Sequence, residues 1–242
     1  MTALSMTPRR PATVPASGDV HVWTVELDAV TAPDDALTAR LSQEELARAD
    51  SFVFGAHRRR YLVSHAFLRS VLGECLGRRP AAIELGRTPR GKPVLAGGSD
   101  AALHFSLSHS GPIAACAVAR EPVGVDIEPE QVIPEAPGIA ARIFTAERLA
   151  RWSVEPEPGR VRSLLVGWTQ FEALAKAQGG GLIFPPAPID LDGRTGRWQP
   201  VSDRGERWSV TAVQRADGTV LSVAVAGAPA RLSVREWRPP LL

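Results

Sequence analysis

The chain has 242 residues, with 28 Lys and Arg against 26 Asp and Glu, and its net charge of +2 argues against a histone-like or polybasic nucleic-acid binder. Hydrophobic residues make up 44% and charged residues 22%, which is typical of a globular protein of one large or two small domains. Only Lys92 and Lys176 are lysines, and asparagine is absent. A high-GC coding sequence explains a general excess of arginine, so the places of the two lysines become the informative feature.

No apolar run is long enough to cross a bilayer, since the longest, Ile113–Ala119, is far shorter than the roughly 18 to 20 residues required. Residues 1–18 are rich in Pro and Ala and lack the apolar region of a signal peptide, so we expect a disordered N-terminal tail there. Cys75 and Cys116 lack the spacing of a zinc site or a disulfide framework. We therefore expect two buried thiols, no membrane association and a cytoplasmic location.

The first half of the chain begins with an alternating pattern that predicts a strand at 21–28. Ser42 then precedes a helical run to position 50 as an N-cap, and Glu45 completes a capping box. A longer amphipathic helix is predicted over 57–76, with Gly77 as its stop. Strand-like segments joined by turns follow at 82–85, 104–108 and 113–119.

The second half repeats this order, with a strand at 123–128, a short helix at 146–152, a long helix at 161–177, and strands near 189, at 208–213 and at 219–225. No residue identity supports a repeat, and coincidence is the alternative. The order predicts two α+β lobes, an N-terminal lobe at 19–120 and a C-terminal lobe at 121–242, with a ligand cleft between them.

Charge is divided along the same order. Positions 40–92 hold eleven basic and five acidic residues, whereas positions 121–135 hold five acidic residues and no base. A basic first lobe facing an acidic strand is what a metal-bridged polyphosphate would need. On charge alone, an ordinary solvated surface is the preferred interpretation.

Asp126 and Glu128 lie two residues apart in the segment GVDIE, so a strand would point both carboxylates to one face. Two converging carboxylates repel each other unless a cation or a proton lies between them, and Mg²⁺ favours such oxygens together with phosphate and water. The alternative is an edge strand with one polar face.

Glu172 and Lys176 lie four residues apart, on one face of the long helix. A solvated ion pair is the usual meaning of that spacing and contributes about 0.3 to 0.5 kcal/mol. The functional interpretation makes Glu172 a third metal ligand or a base and Lys176 a phosphate partner. The glycines at 179–181 do not form a P-loop, because no strand precedes them and no Gly-Lys-Ser/Thr follows.

Two further segments carry groups that bind phosphate. The segment FSLSHS ends a strand with Ser108 and His109, which can donate to phosphate oxygens. Arg87, Arg90 and Lys92 in the RTPRGKP turn would form a fixed positive rim, with a soluble loop as the alternative. The segment 52–60 mixes aromatics with arginines as single-stranded nucleic-acid binders do, but its place before an amphipathic run favours helix packing.

The order of these motifs is more specific than any one of them. GKP, FSLSHS, GVDIE and a W-x-x-x-E-x-x-x-K pattern follow each other, with Gly179 and Gly181 beyond. From about residue 48 to residue 182 the chain resembles the 4'-phosphopantetheinyl transferases of the larger, two-lobed type that activates surfactin synthetase and other carrier-protein systems.

The resemblance implies two similar α+β lobes related by a pseudo-twofold, each a small, mostly antiparallel sheet packed against a long helix, with the active site at the lobe interface. It implies transfer of 4'-phosphopantetheine from coenzyme A to a serine hydroxyl of apo acyl or peptidyl carrier proteins, which serve polyketide, nonribosomal peptide or fatty acid synthesis, with release of 3',5'-ADP. We expect a monomer with no nucleic-acid partner.

The resemblance also implies roles for single residues. It assigns Mg²⁺ to Asp126, Glu128 and Glu172, with Asp126 also in the catalytic set. The proton of the incoming serine would go to Glu172, to Glu147 or to a metal-bound water, and the sequence does not choose among them. Phe171 departs from the family, because many relatives have lysine there; its place in an apolar stripe predicts that it points into the core.

For coenzyme A, the resemblance implies that Lys176 contacts the phosphates and that Ser108 and His109 hold the 3'-phosphate. Positively charged contacts from the first lobe would be Arg48, Arg87, Arg90 and Lys92. One alternative is a degenerate relative that binds coenzyme A or a carrier protein without turnover, and the complete set of acidic residues with Lys176 argues against it. An unrelated Mg²⁺-dependent nucleotide-binding enzyme is disfavoured by the order of the motifs.

Overall fold

The protein is described by a computed structural model over residues 14–96, 103–131, 133–191 and 195–238. Its mixture of helices and small, mostly antiparallel sheets confirms the predicted α+β class. The elements, in chain order, are β1 Asp19–Glu26, α1 Asp34–Thr38, α2 Gln43–Asp50, α3 Gly55–Leu76, β2 Leu85–Arg87, β3 Pro93–Leu95, β4 His104–Ser110, β5 Ile113–Ala119, β6 Val123–Glu128, α4 Ala136–Ile143, α5 Ala146–Ser153, α6 Gly159–Ala177, β7 Gln199–Asp203, β8 Glu206–Gln214, β9 Val220–Ala226 and β10 Arg231–Glu236.

In the first lobe, α3 packs on a four-stranded sheet of order β10-β1-β5-β4. The helix ends where the sequence predicts, because Gly77 adopts the left-handed conformation at φ +64° that a residue with a side chain rarely takes. The predicted capping box before α2 is also present, with the Ser42 and Glu45 side chains each bonded to the other's backbone amide. Local chemistry thus sets both helix boundaries.

In the second lobe, α6 packs on an antiparallel sheet of order β6-β9-β8-β7. The helix lies unusually close to β6, since a Cβ at Gly124 would lie 2.0 Å from the carbonyl oxygen of Ala173. Only glycine permits this approach. The close packing brings the carboxylates of β6 and the polar residues of α6 to one place.

The two lobes meet where β4 of the first sheet runs beside β6 of the second. Apolar residues of both sheets share one core there, including Val22, Val125 and Val223. The Ser106 hydroxyl accepts a hydrogen bond of 3.2 Å from the Val125 amide. The lobe interface therefore has its own apolar core and a hydrogen bond that joins β4 to β6.

The division at residue 120 needs one correction. Strand β10 lies beyond that boundary, but it pairs in parallel with β1 of the first sheet, with Asp19 opposite Arg231. Trp237, directly after β10, packs on Phe67 in the first core, their ring centroids 5.3 Å apart. The predicted C-terminal lobe thus contains a strand that belongs to the first lobe.

Several smaller predictions differ from the structure. The segment near 189 forms a single bridge between Ile189 and Phe144 instead of a strand, and the strand predicted at 82–85 lies at Leu85–Arg87. The sequence does not predict α1, α4, β3, β7 or β10. Most of the expected tail, residues 1–13, lies outside the described residues. Within the described part, the Ser17 hydroxyl donates to Glu121 at 2.7 Å.

Other predictions about composition fit the structure. Cys75 and Cys116 are both free and buried. In the described residues, no helix has the length and apolar character needed to span a bilayer. The arginines at 58–60 form ion pairs within the first lobe, and Phe52 packs on Tyr61, so both contacts support the helix-packing interpretation of that segment. The ion pairs join Arg58 to Asp34 and Asp50, Arg59 to Asp34, and Arg60 to Asp28.

Candidate active site

A cavity of about 1350 Å³ opens between the lobes. Its first-lobe wall comes from α2, α3 and the β2–β3 hairpin, and its second-lobe wall from Lys176 and the residues after α6. Most drug-sized ligands need roughly 300 to 1,000 Å³, so this cavity suits a larger, extended ligand. Its wall is rich in cations: Arg48, Arg69, Arg87, Arg90, Lys92 and Lys176.

An acidic group adjoins the cavity where β6 meets α6. It consists of Asp126 and Glu128 of β6 and Glu172 of α6. Lys176 links the two, because it lines the cavity while its Nζ lies 2.6 Å from Oδ1 of Asp126 and 2.9 Å from the Ser108 hydroxyl. The Ser108 hydroxyl also donates to Asp126 Oδ1 at 2.8 Å. Asp126 is almost fully buried, so this ion pair is shielded from water on the carboxylate side.

Burial and neighbouring negative charge raise the pKa of two carboxyls in this group, Glu172 and Glu128. Burial raises the pKa of Glu172 to about 7, the negative charges of Asp126 and Glu128 add to that rise, and Lys176 opposes it. The pKa of Glu128 is also raised, first by burial and then by Asp126, against a hydrogen bond from Ser110 and the charge of Lys176. Among the described residues, this site thus places Asp126, Glu128 and Glu172 around the ammonium group of Lys176, and the crowding of like charges disfavours ionisation of Glu172 and Glu128.

The donors present suit a divalent cation. Oδ2 of Asp126 is buried without a hydrogen-bond partner among the described residues, and such an orphaned carboxylate oxygen is available to a hard cation. Asp126, Glu128 and Glu172 are not arranged as a complete metal centre, since the described ranges contain no group of three His, Cys, Asp or Glu side chains with metal-ligand geometry. The chemistry of the donor set fits Mg²⁺, while Lys176 occupies one side of Asp126.

The serines of the FSLSHS segment face the lobe interface. Ser106, Ser108 and Ser110 alternate along β4 and bond to the Val125 amide, to Asp126 and to Glu128, respectively. His109 lies on the other face of the strand and lines the cavity. The resemblance implies that Ser108 and His109 hold one phosphate, but the structure brings Ser108 to Asp126, whereas His109 lies on the cavity wall.

The cations of the β2–β3 hairpin take different positions. Arg87 is exposed on the cavity wall and donates to the Gly91 carbonyl at 3.2 Å within the hairpin. Arg90 lies over the ring of Phe184 from the second lobe, 5.3 Å from its centroid. Lys92 lines the cavity, and its ammonium group donates to two backbone carbonyls of the second lobe.

Two other residues named from the sequence lie apart from the cavity. Phe171 is buried in the second-lobe core, as its helical position predicts. Glu147 lies exposed in the first turn of α5 and is not part of the cavity wall. The structure therefore gathers Asp126, Glu172 and Lys176 and leaves Glu147 outside.

Sequence reasoning missed one polar cluster on the cavity wall. Tyr61, His65 and Arg69 recur every four residues along α3, a spacing that could have revealed a polar face. His65 stacks on Tyr61, and Glu45 pairs with His65 at 2.9 Å and with Arg69 at 2.6 Å. Burial opposes the charge of Glu45, but hydrogen bonds from His65 and Ser42 and the charge of Arg69 lower its pKa to about 2.

A cation-lined cavity that ends at an acidic group has the charges that suit a phosphate-bearing ligand. The model of the 4'-phosphopantetheinyl transferase N-terminal region matches residues 32–121, and that of the 4'-phosphopantetheinyl transferase superfamily matches residues 122–224. The 4'-phosphopantetheinyl transferase HetI of Nostoc sp. is 32% identical, over 91% of this chain and 93% of its own length.

Two further relatives have similar names. The phosphopantetheinyl transferase of Thraustochytrium sp. is 32% identical, over 73% of this chain and 67% of its own length. The 4'-phosphopantetheinyl transferase Sfp of Bacillus subtilis is 30% identical, over 60% of this chain and 68% of its own length. The chain belongs to the 4'-phosphopantetheinyl transferase superfamily and is an enzyme of that type, which confirms the family predicted from its motifs.

Proposed function

We propose that this enzyme transfers 4'-phosphopantetheine from coenzyme A to a serine hydroxyl of an apo acyl or peptidyl carrier protein, with Mg²⁺, and releases 3',5'-ADP. The observation that carries the proposal is the place of Lys176, which lines the cavity and bonds to Asp126 at 2.6 Å. A pyrophosphate bound in the cavity would reach the ammonium and the acidic group together. The size and cationic wall of the cavity suit the nucleotide portion of coenzyme A.

In the proposed reaction, the serine oxygen forms a bond to the phosphorus that carries pantetheine, and the bridging P–O bond of the pyrophosphate breaks. Arg48, Arg87, Arg90 and His109 would hold the phosphates, and Lys176 would balance the charge that develops on the leaving group. Asp126, Glu128 and Glu172 would hold Mg²⁺, which supplies charge neutralisation for phosphoryl transfer when bound.

The proton of the serine hydroxyl needs an acceptor in this reaction. Glu172 interacts electrostatically with Asp126 and Lys176, whereas Glu147 lies exposed outside the cavity wall. We therefore place the proton on Glu172. Pairing of Lys176 with the neighbouring Asp126 keeps an ammonium beside the base and the leaving group.

The direct test incubates the enzyme with coenzyme A, Mg²⁺ and purified apo acyl or apo peptidyl carrier protein, and reads the carrier by intact mass. We expect the phosphopantetheine adduct with Mg²⁺ and its loss when EDTA removes the metal. Coenzyme A binding without an adduct on either carrier would support the degenerate, non-catalytic alternative. An undiminished adduct in EDTA would contradict the metal assignment.

His109 provides a test of phosphate recognition. We expect His109→Ala to raise KM for coenzyme A about tenfold and to leave KM for dephospho-coenzyme A nearly unchanged, because only the former carries the 3'-phosphate. Ser108→Ala is the matched comparison, since Ser108 faces Asp126 and not the cavity, and its loss should not alter that preference. Equal effects of His109→Ala on both substrates would contradict the assignment.

A further inference from the structure

Lys92 reaches out of the first lobe and ends inside the second. It leaves the β2–β3 hairpin, and its Nζ donates to the carbonyl oxygen of Val123 at 2.9 Å and to that of Ala177 at 3.0 Å. Two of the three ammonium donors are thus used on backbone oxygens. An ammonium bound in this way is held in place by the second lobe and has one N–H left for any other acceptor.

The two carbonyls belong to the two elements that carry the acidic group. Val123 begins β6, three residues before Asp126, and Ala177 ends α6, directly after Lys176. The last carbonyls of a helix lack intrahelical partners and carry partial negative charge, so a cation is favoured there. Lys92 therefore bonds to both elements next to Gly124, where an added Cβ would lie 2.4 Å from the Ala177 amide nitrogen.

The surroundings of the Lys92 stem fit this position. Gly179, at φ +75°, packs against the Lys92 stem, and a Cβ there would be 3.4 Å from Lys92 Cδ. Burial lowers the pKa of Lys92 to about 8, as expected for an ammonium taken out of water. Arg90 of the same hairpin makes a further contact with the second lobe, with the ring of Phe184.

We infer that Lys92 is a positioning residue. From the first lobe it holds α6 against β6 and so sets the position of Lys176 relative to Asp126, instead of contacting coenzyme A as the GKP motif implies. A displacement of about 1 Å in a catalytic group lowers the rate by as much as a hundredfold, so loss of the two Lys92 hydrogen bonds lowers kcat. Coenzyme A binding, which depends on the other cations of the cavity wall, is unaffected.

The test measures kcat and KM for coenzyme A in Lys92→Met, in Lys92→Arg and, as a control, in Arg87→Met. The inference rests on the proposed transfer reaction, and the wild-type enzyme is measured first with the same carrier protein. Absence of wild-type turnover would count against the proposed function. With wild-type turnover established, the variants test the role of Lys92 alone.

We expect Lys92→Met to lower kcat by about ten- to a hundredfold while KM for coenzyme A stays within twofold of wild type. Lys92→Arg, which keeps the charge and the donors, should recover part of kcat, again with KM unchanged. Arg87→Met removes a cation of the same hairpin that donates to the Gly91 carbonyl within the hairpin, and it should raise KM instead. A split of this kind separates positioning from substrate binding.

A rise in KM for coenzyme A with unchanged kcat in Lys92→Met would overturn the inference, because it would make Lys92 a substrate contact. If Lys92→Met does not fold, Lys92→Arg decides. An Arg variant with raised KM would overturn the inference, and one with lowered kcat alone would support it.

Discussion

Asp126→Asn should lower the rate of phosphopantetheine transfer by about 10²- to 10³-fold, which is the scale of losing one group that stabilises charge in a transition state. The asparagine keeps an acceptor oxygen for Ser108 and Lys176, so the packing of β6 against α6 is preserved. It removes the negative charge and the orphaned oxygen Oδ2 that we propose for Mg²⁺. The rate loss should come with a higher Mg²⁺ concentration for half-maximal activity.

Asp203→Asn is the matched control for this substitution. Asp203 is also buried, and it accepts hydrogen bonds from Gln178 and the Ala187 amide in the second lobe. Its loss should affect thermal stability and leave the Mg²⁺ requirement as in wild type. Near-normal transfer by a folded Asp126→Asn variant would contradict the assignment of the acidic group.

Lys176→Arg should lose about a hundredfold or more in kcat although it keeps the positive charge and the helix. The ammonium fits between Asp126 Oδ1 at 2.6 Å and the Ser108 hydroxyl at 2.9 Å. A planar guanidinium is longer and presents its donors in a fixed fork, so it cannot occupy the same point. Steady-state kinetics with an apo carrier protein, alongside a melting curve, would measure both properties.

Lys176→Met separates charge from shape. It should lose at least as much activity as Lys176→Arg, and it leaves Asp126 buried without its cation, so its melting temperature should fall as well. Full activity in Lys176→Arg would mean that the family motif retains lysine here by chance. Equal kcat values for the Arg and Met variants would assign the whole effect to geometry.

Much of the fold could be predicted because its signals are local. The capping box at Ser42, the stop at Gly77 and the apolar strand β5 depend on neighbours within a few residues. The place of β10 could not be predicted, because its pairing with β1 joins parts of the chain more than 200 residues apart. No local pattern distinguishes an edge strand of one sheet from that of the other.

The candidate site shows the same limit. The spacing of Asp126, Glu172 and Lys176 predicts which faces of β6 and α6 they share, and the structure brings these faces together. Whether a side chain meets a ligand or its own backbone depends on tertiary contacts, as the different positions of Ser108 and Lys92 illustrate. The only two lysines in the sequence both lie at the lobe interface, each bonded to oxygens of the second lobe.

The parallel pairing of β10 with β1 determines when the first lobe is complete during synthesis. While the ribosome makes the second lobe, one edge of β1 has no partner and the first core lacks Trp237. An unpaired strand edge is a ready site for association with other chains, and domains otherwise fold in order of emergence. The nascent first lobe therefore stays open to aggregation until the second lobe has been made.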